Sequence, residues 1–431
     1  MIKMSLDRNI QPSIKEIESF NIINAPSLML PNGIPLYYLN TGNSEIIKVE
    51  WMFNAGNWYQ SQPLVAFAVN NMLMEGTTGY TSPQISEMVE FYGGHMGYTV
   101  DKDNAYISLL CMRKYLSQVL EIVEDLIKNP TFPQLELEIF RNKHKQQFQV
   151  EQTKLKNIAR FVHSRMLFGS QHPYGSVVEE TDFDKLTRDG LLQFHKSYYQ
   201  AKSCRIIASG KVEETEIKIL EKHFGGKDWG ISETPDVKIY NIQTETERKI
   251  FIEKPDAVQS AVRIGKILVN KDHSDYIGLT VLNCILGGYF GSRLMKKIRE
   301  EKGYTYGINS VFVTFTNAGY MTIVSDLGTS VTREAVNAIY DEIEQLRNQL
   351  VPDEELLRVK NYMLGDMVRM FDGPFAQAES LILLLEYDLQ YDHFDEIIKT
   401  IKSISSEDIL SLAKKYFEWD SFHEVVVGKQ E

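Results

Sequence analysis

Residues 68–76 read AVNNMLMEG and residues 280–288 read TVLNCILGG, an internal echo that constrains the fold more than any other feature of the chain. The offset is 212, and three more matches follow in the same order. Arg141-Asn-Lys143 pairs with Arg358-Val-Lys360 at an offset of 217. The run from Leu186 to Tyr199 pairs with the run from Ile404 to Phe417 at 218, and Gly210-Lys211 pairs with Gly428-Lys429 at the same spacing. A collinear series that drifts so little describes one domain written twice with small insertions. A chain of 431 residues is also too long for one ordinary core and suits two domains of about 200 residues each.

One copy reads as follows. Residues 47–54 suit a strand, residues 63–76 a buried helix stopped by Gly76, and residues 82–92 a helix with Ser82 as N-cap and Pro83 in its first turn. Residues 96–111 alternate as two strands around a turn at 101–104. Leu116, Val119, Leu120, Val123 and Leu126 fall on one helical face of 115–128. Long helices over 133–168 and 187–199 precede a strand at 203–209, and the order resumes near 249. Antiparallel strands with helices packed on one face predict an α+β fold of two tandem α/β sandwich domains. The expected division is 1–230, a linker at 231–247, and 248–431. The turn formers and aperiodicity of Lys227–Asp236 mark where the linker begins.

Composition narrows the partners. Charged residues are 24% and the net charge is −12, which argues against nucleic acid, since no broad positive field exists to attract phosphates. Cys111, Cys204 and Cys284 are far apart and form no C-x-x-C, so they read as buried apolar residues and not as disulfide or thiolate-metal partners. The N-terminal run shows no leader pattern, and no stretch reaches the ~20 apolar residues of a membrane span, so a cytoplasmic, non-membrane protein is expected.

The segments FNAGNWYQ (53–60), MLMEGT (72–77), His172-Pro-Tyr-Gly175 and above all SRLMKKIREEKGYTYG (292–307) make nearly the whole chain similar to the insulinase/pitrilysin family of zinc peptidases. Its short bacterial members and the mitochondrial processing peptidase subunits are the nearest in pattern. The resemblance implies a clam of two such domains, with a metal motif H-x-x-E-H on the first-domain helix and a later Glu as third ligand. Aligned on Met72–Thr77, the three motif positions carry Phe67, Asn70 and Asn71. Aligned on Arg141, the later Glu falls at Gln146 or Gln147. None supplies a good zinc ligand or a basic carboxylate, so no metal is expected on this chain.

No two of the nine His lie three or four residues apart, and His144 reads as a solvated helix face and His172 as a turn residue. Neither a G-x-S-x-G elbow nor a phosphate-cradling Gly-Lys loop is present.

The second-domain motif survives. In the family an Arg and a Tyr seven residues apart face the metal across a chamber, and here they fall at Arg299 and Tyr306. Tyr304 is the competing tyrosine, and spacing alone favours Tyr306. By themselves Arg299 would be a solvated helix charge and Tyr306 a half-buried strand aromatic. Within the motif, a guanidinium and a phenol suit a peptide backbone and its developing oxyanion. The turn Gly287-Gly288-Tyr289-Phe290 suits close backbone approach to an extended peptide. Some bacterial relatives divide the chemistry between two chains. The resemblance therefore implies a non-zinc subunit that completes the site of a zinc-bearing homologous partner acting on peptides or unfolded polypeptides. The alternative is an inert peptide-binding or assembly homologue.

Overall fold

The computed structural model describes residues 17, 19–42, 44–227, 229 and 238–430. The first half contains β1 (Ser27–Met29), β2 (Pro35–Asn40), β3 (Ile46–Phe53), α1 (Val65–Asn71), α2 (Ser82–Phe91), β4 (His95–Val100) and β5 (Ala105–Met112). It continues with α3 (Leu116–Lys128), α4 (Gln134–Gln152), α5 (Leu155–Phe168), α6 (Glu180–Lys185), α7 (Arg188–Tyr198), β6 (Cys204–Gly210) and α8 (Glu214–Phe224). The second half repeats the plan with β7 (Lys249–Glu253), β8 (Gln259–Leu268), α9 (Tyr276–Asn283), β9 (Thr305–Phe315), β10 (Ala318–Gly328) and α10 (Thr332–Asn348). It closes with α11 (Asp353–Met370), α12 (Gly373–Glu386), α13 (Asp392–Ser403), α14 (Ser406–Tyr416) and β11 (His423–Gly428).

The two sheets carry the same strand order. The first is β1-β2-β6-β3-β5-β4 and the second β7-β11-β8-β10-β9, identical once β1 is set aside. Register follows the duplication. Tyr37 and Glu50 flank Ile207 in the first sheet, and Ile250 and Arg263 flank Val425 in the second. Helices α4 and α11 both begin just after a proline, at Pro133 and Pro352. Each sheet buries one face against its own helices, with Trp51, Phe53, Leu73 and Leu120 in the first core and Ile264, Leu282, Ile298 and Ile339 in the second.

Two features lie outside the sequence expectation. One pair in each sheet is parallel, β2 with β6 and β7 with β11. More consequential, the other face of each sheet takes a helix from the opposite half. Helix α5 lays Ala159 and Met166 on Ala261, Val425 and Val427 of the second sheet. Helix α12 lays Ala378, Leu381 and Ile382 on Leu39, Met52 and Ile207 of the first. The hairpin turns of the two halves also meet, because Asp103 accepts hydrogen bonds from the Thr316 backbone N–H (2.9 Å) and the Tyr174 hydroxyl (2.6 Å).

Two local expectations are corrected. The N-cap of α2 is Thr81, in a capping box with Gln84, while the Ser82 hydroxyl instead donates to Glu75 at 2.9 Å. The span 133–168 is two helices, broken where Lys154 turns to extended backbone. The three cysteines are buried and free. Of the expected linker, residues 231–237 lie outside the described residues. The part after 238 runs beside the end of α5, with Glu245 N–H donating to Met166 O at 2.9 Å. No helix among the described residues is long and apolar enough to cross a membrane.

Candidate functional site

In the first half, α1 carries Phe67, Asn70 and Asn71, the three residues aligned above with the H-x-x-E-H motif, and they serve packing. The ring of Phe67 meets Phe140 at 5.8 Å and His144 at 5.2 Å between centroids, and Phe140 meets His144 at 4.3 Å. His144 is therefore a half-buried member of an aromatic cluster and not a solvated face, and burial holds its imidazole below the ordinary value. Asn70 is fully buried; its amide donates to the Tyr199 hydroxyl at 3.1 Å and to Tyr106 O at 3.3 Å. The Asn71 amide folds back on Phe67 O at 2.9 Å. Gln147 shares the helical face of Phe140, seven residues earlier, and hydrogen-bonds His144; both Gln146 and Gln147 are exposed.

The zinc that the fold family implies does not fit this donor set. A phenyl ring and three neutral amides offer neither imidazole nor carboxylate. Among the described residues, no three His, Cys, Asp or Glu side chains are placed to share a metal ion.

The second half is built differently at the matching place. Two wide, π-type helical turns, Cys284–Gly288 and Met295–Glu301, flank the glycine-rich turn. Such turns interrupt the regular ladder and recur at functional sites. Gly287 is required by contact: a Cβ there would lie 2.6 Å from the Ser310 backbone nitrogen on β9. Asn283 fastens the same junction, its amide donating to Ser310 O at 3.1 Å. Tyr289 stacks on Tyr362 at 4.9 Å, and Phe290 projects outward.

Arg299 and Tyr306 come together here. The Arg299 Nε–H donates to Tyr306 O at 3.1 Å, and its guanidinium lies 4.9 Å from the centre of the Phe290 ring. Tyr306, at the start of edge strand β9, is 93% exposed. Tyr304 packs half-buried against the second core, so Tyr306 is the tyrosine with a free phenol. No described hydrogen bond, ring contact or ion pair links this cluster to Phe67, Asn70 or Asn71.

A cavity of about 740 Å³ opens beside the turn. Gly287, Gly288, Tyr289 and Phe290 form one wall, β9 and β10 a second, and Lys156, Asn157 and Arg160 of α5 a third. Arg263 of β8 lines its floor. Sequence reasoning missed these basic residues. A Lys and an Arg four apart on a helix look like an ordinary solvated face, and nothing local reveals that α5 packs on the far sheet.

This arrangement defines a duplicated α+β scaffold whose halves share one strand order and differ at the matching helix and turn. Residues 43–178 match the family model described as insulinase (peptidase family M16), and residues 185–363 match the peptidase M16 inactive domain. The chain belongs to the insulinase family of peptidases. It is 22% identical to an uncharacterized zinc protease of Bacillus subtilis over 90% of this chain and 95% of that protein. It is 20% identical to a probable inactive metalloprotease of the same organism over 55% of each chain. The mitochondrial-processing peptidase subunit beta of Rattus norvegicus is 21% identical, over 92% of this chain and 83% of its own. The crystal structure of a peptidase M16 inactive domain from Pseudomonas fluorescens superposes with a TM-score of 0.83 at 21% identity, covering 95% of this chain and 99% of that one. A protease from Helicobacter pylori gives 0.84 at 15% identity, covering 94% and 100%.

Proposed function

We propose that this chain is the non-zinc subunit of a two-chain metallopeptidase and lends Arg299 and Tyr306 to a site whose metal and general base sit on a homologous partner. The observation that carries this reading is the exposed Tyr306 phenol beside an Arg299 held by Phe290, in a chain whose own metal positions are filled by packing residues. The guanidinium would hold a peptide carbonyl, and the phenol would donate to the oxygen that gains charge. Edge strand β9 and the close-packed Gly287 turn suit an extended peptide lying along the cavity. In this reading residues 1–230 and 248–431 are the two domains and 231–247 the linker.

The test mixes this chain with a zinc-bearing homologue and follows cleavage of a quenched peptide. Arg299→Ala and Tyr306→Phe should each lower kcat/KM of the mixture by about 10²-fold, the scale of losing one oxyanion donor. A partner as active alone as in the mixture, or variants as active as the parent, would overturn the reading. The buried Asn70 and the Phe67 cluster favour a second reading, an inert peptide-binding homologue. That reading predicts peptide binding with no change in the rate of any partner.

A further inference from the structure

The cavity beside the Gly287–Phe290 turn has an unbalanced charge. Lys156, Arg160 and Arg263 line it, against the single carboxylate of Asp326. Among the described residues none of the three cations has a carboxylate within 4.0 Å. The Nε of Arg263 is buried with no hydrogen-bond partner. Glu151, the acidic residue just before α5, is already held by Lys154 and the Asn157 amide. Lys156 and Asn157 also belong to the first turn of α5, whose 14 residues direct a partial positive charge toward the same space. Burial, and to a lesser degree the nearby Arg160, disfavour the charged form of Arg263, while Tyr320 and Asp326 partly offset them.

The equivalent place in the first half shows the contrast. The duplication pairs Arg263 with Glu50, and Glu50 has its own counter-ion in Lys48 at 3.0 Å. Lys156 and Arg160 stay solvated at the rim, whereas the partly buried Arg263, with its unpartnered Nε, is the cation that gains most from an anion completing it. The cavity is continuous with Gly307, Ile308 and Asn309 of β9, so a chain extended along that edge would direct alternate side chains into it.

We propose that this cavity is a carboxylate-recognition subsite that gives the protein a preference for acidic peptides. The inference deepens the peptide-binding reading above and depends on it. The bound group is a peptide side-chain carboxylate, from an Asp or Glu. Lys156 and Arg160 would meet it at the rim and Arg263 at the floor by charge-assisted hydrogen bonds.

The experiment uses this chain alone and fluorescence anisotropy of three labelled ten-residue peptides: one rich in Asp and Glu, its Asn/Gln isostere, and the acidic peptide with an amidated C-terminus. The acidic peptide should bind about tenfold more tightly than its isostere at low salt, the scale of one charge-assisted hydrogen bond, and the gap should narrow with added salt. The gap should persist on amidation; a gap that vanishes when only the C-terminus is blocked would overturn the assignment to side chains. Lys156→Glu with Arg160→Glu, both on the exposed rim, should abolish or reverse the ratio of acidic to isosteric affinity while leaving the melting temperature unchanged. Equal affinity for acidic and isosteric peptides, or a preference that survives the double variant, would overturn it. Binding of the isostere with no acidic preference leaves the peptide-binding reading standing without the subsite. Failure of all three peptides to bind removes both. No partner subunit is involved, so loss of the trans active-site reading would appear separately, in the cleavage assay.

Discussion

The two halves share one plan and diverge where one element of each was free to change. On α1, Phe67, Asn70 and Asn71 are tied into packing and backbone hydrogen bonds. Around the second-half turn, polar and aromatic groups remain outward, with Phe290 and Tyr306 among the most exposed large side chains. Metal ligands cluster polar side chains that must be paid for by function. Once the metal is gone, a phenyl ring in the gap is the more stable occupant. Arg299 and Tyr306 occupy no core volume, so packing alone gives no reason for their placement.

The largest expected effect tests whether the halves are energetically separate. Leu381→Ala on α12 opens a cavity against the first sheet and should cost about 2–5 kcal/mol. Because three of the four tryptophans, Trp51, Trp58 and Trp229, lie in the first half, the loss should register in their fluorescence during urea unfolding although the substitution is in the second. Unchanged first-half unfolding would separate the halves.

Restoring donors tests how much of the metal site's geometry persists. Phe67→His, Asn70→Glu, Asn71→His and Gln147→Glu together should bind about one zinc by elemental analysis. They should raise stability by about 2.7 kcal/mol at a hundredfold excess over Kd, with no such rise in the parent. A variant that melts alike with and without zinc would show that the scaffold has drifted as well as the side chains.

Gly287→Ala forces a Cβ against Ser310 and should cost about 1–3 kcal/mol by urea titration.

Acid should loosen the contact between halves. His163 on α5, packed on β8, has its pKa lowered to about 3 by burial, and His195 to about 4 for the same reason. The unfolded chain takes up these protons near pH 6.5 and the folded chain does not. Stability is therefore complete above about pH 6.5 and falls as pH drops toward 4, by about 1.4 kcal/mol per pH unit for each imidazole. His163→Gln should flatten that slope in melts from pH 7 to 4, and an unaltered slope would discount it.

The smallest effect is the most diagnostic. Arg299→Ala and Tyr306→Phe should leave stability within about 0.5 kcal/mol, whereas Phe67→Ala should lower it by about 1–3 kcal/mol in the same melts.

The duplication was legible because α7 and α14, from Arg188 and Ser406, keep an unbroken apolar spacing. The strands were legible because strands buried on one face alternate, as in β5. Arg299 and Tyr306 could be placed by motif, and their adjacency could not. The choice of Thr81 over Ser82 as cap was hidden because both residues offer a hydroxyl. The exchange of α5 and α12 left no sequence trace. An apolar stripe such as Ala159, Val162 and Met166 looks the same whichever sheet it meets. The cations of the cavity were hidden for the same reason, since their surroundings are set by a contact a hundred residues away.

That exchange also sets a clock on biosynthesis. The first sheet is complete in sequence at Gly210, yet the helix that covers its second face ends at Glu386. At about 5–20 residues per second, the ribosome needs on the order of 10–35 s to supply those intervening residues. For that interval Leu39, Met52 and Ile207 face water on the nascent chain, a transient apolar surface that a chaperone would meet before the second half does.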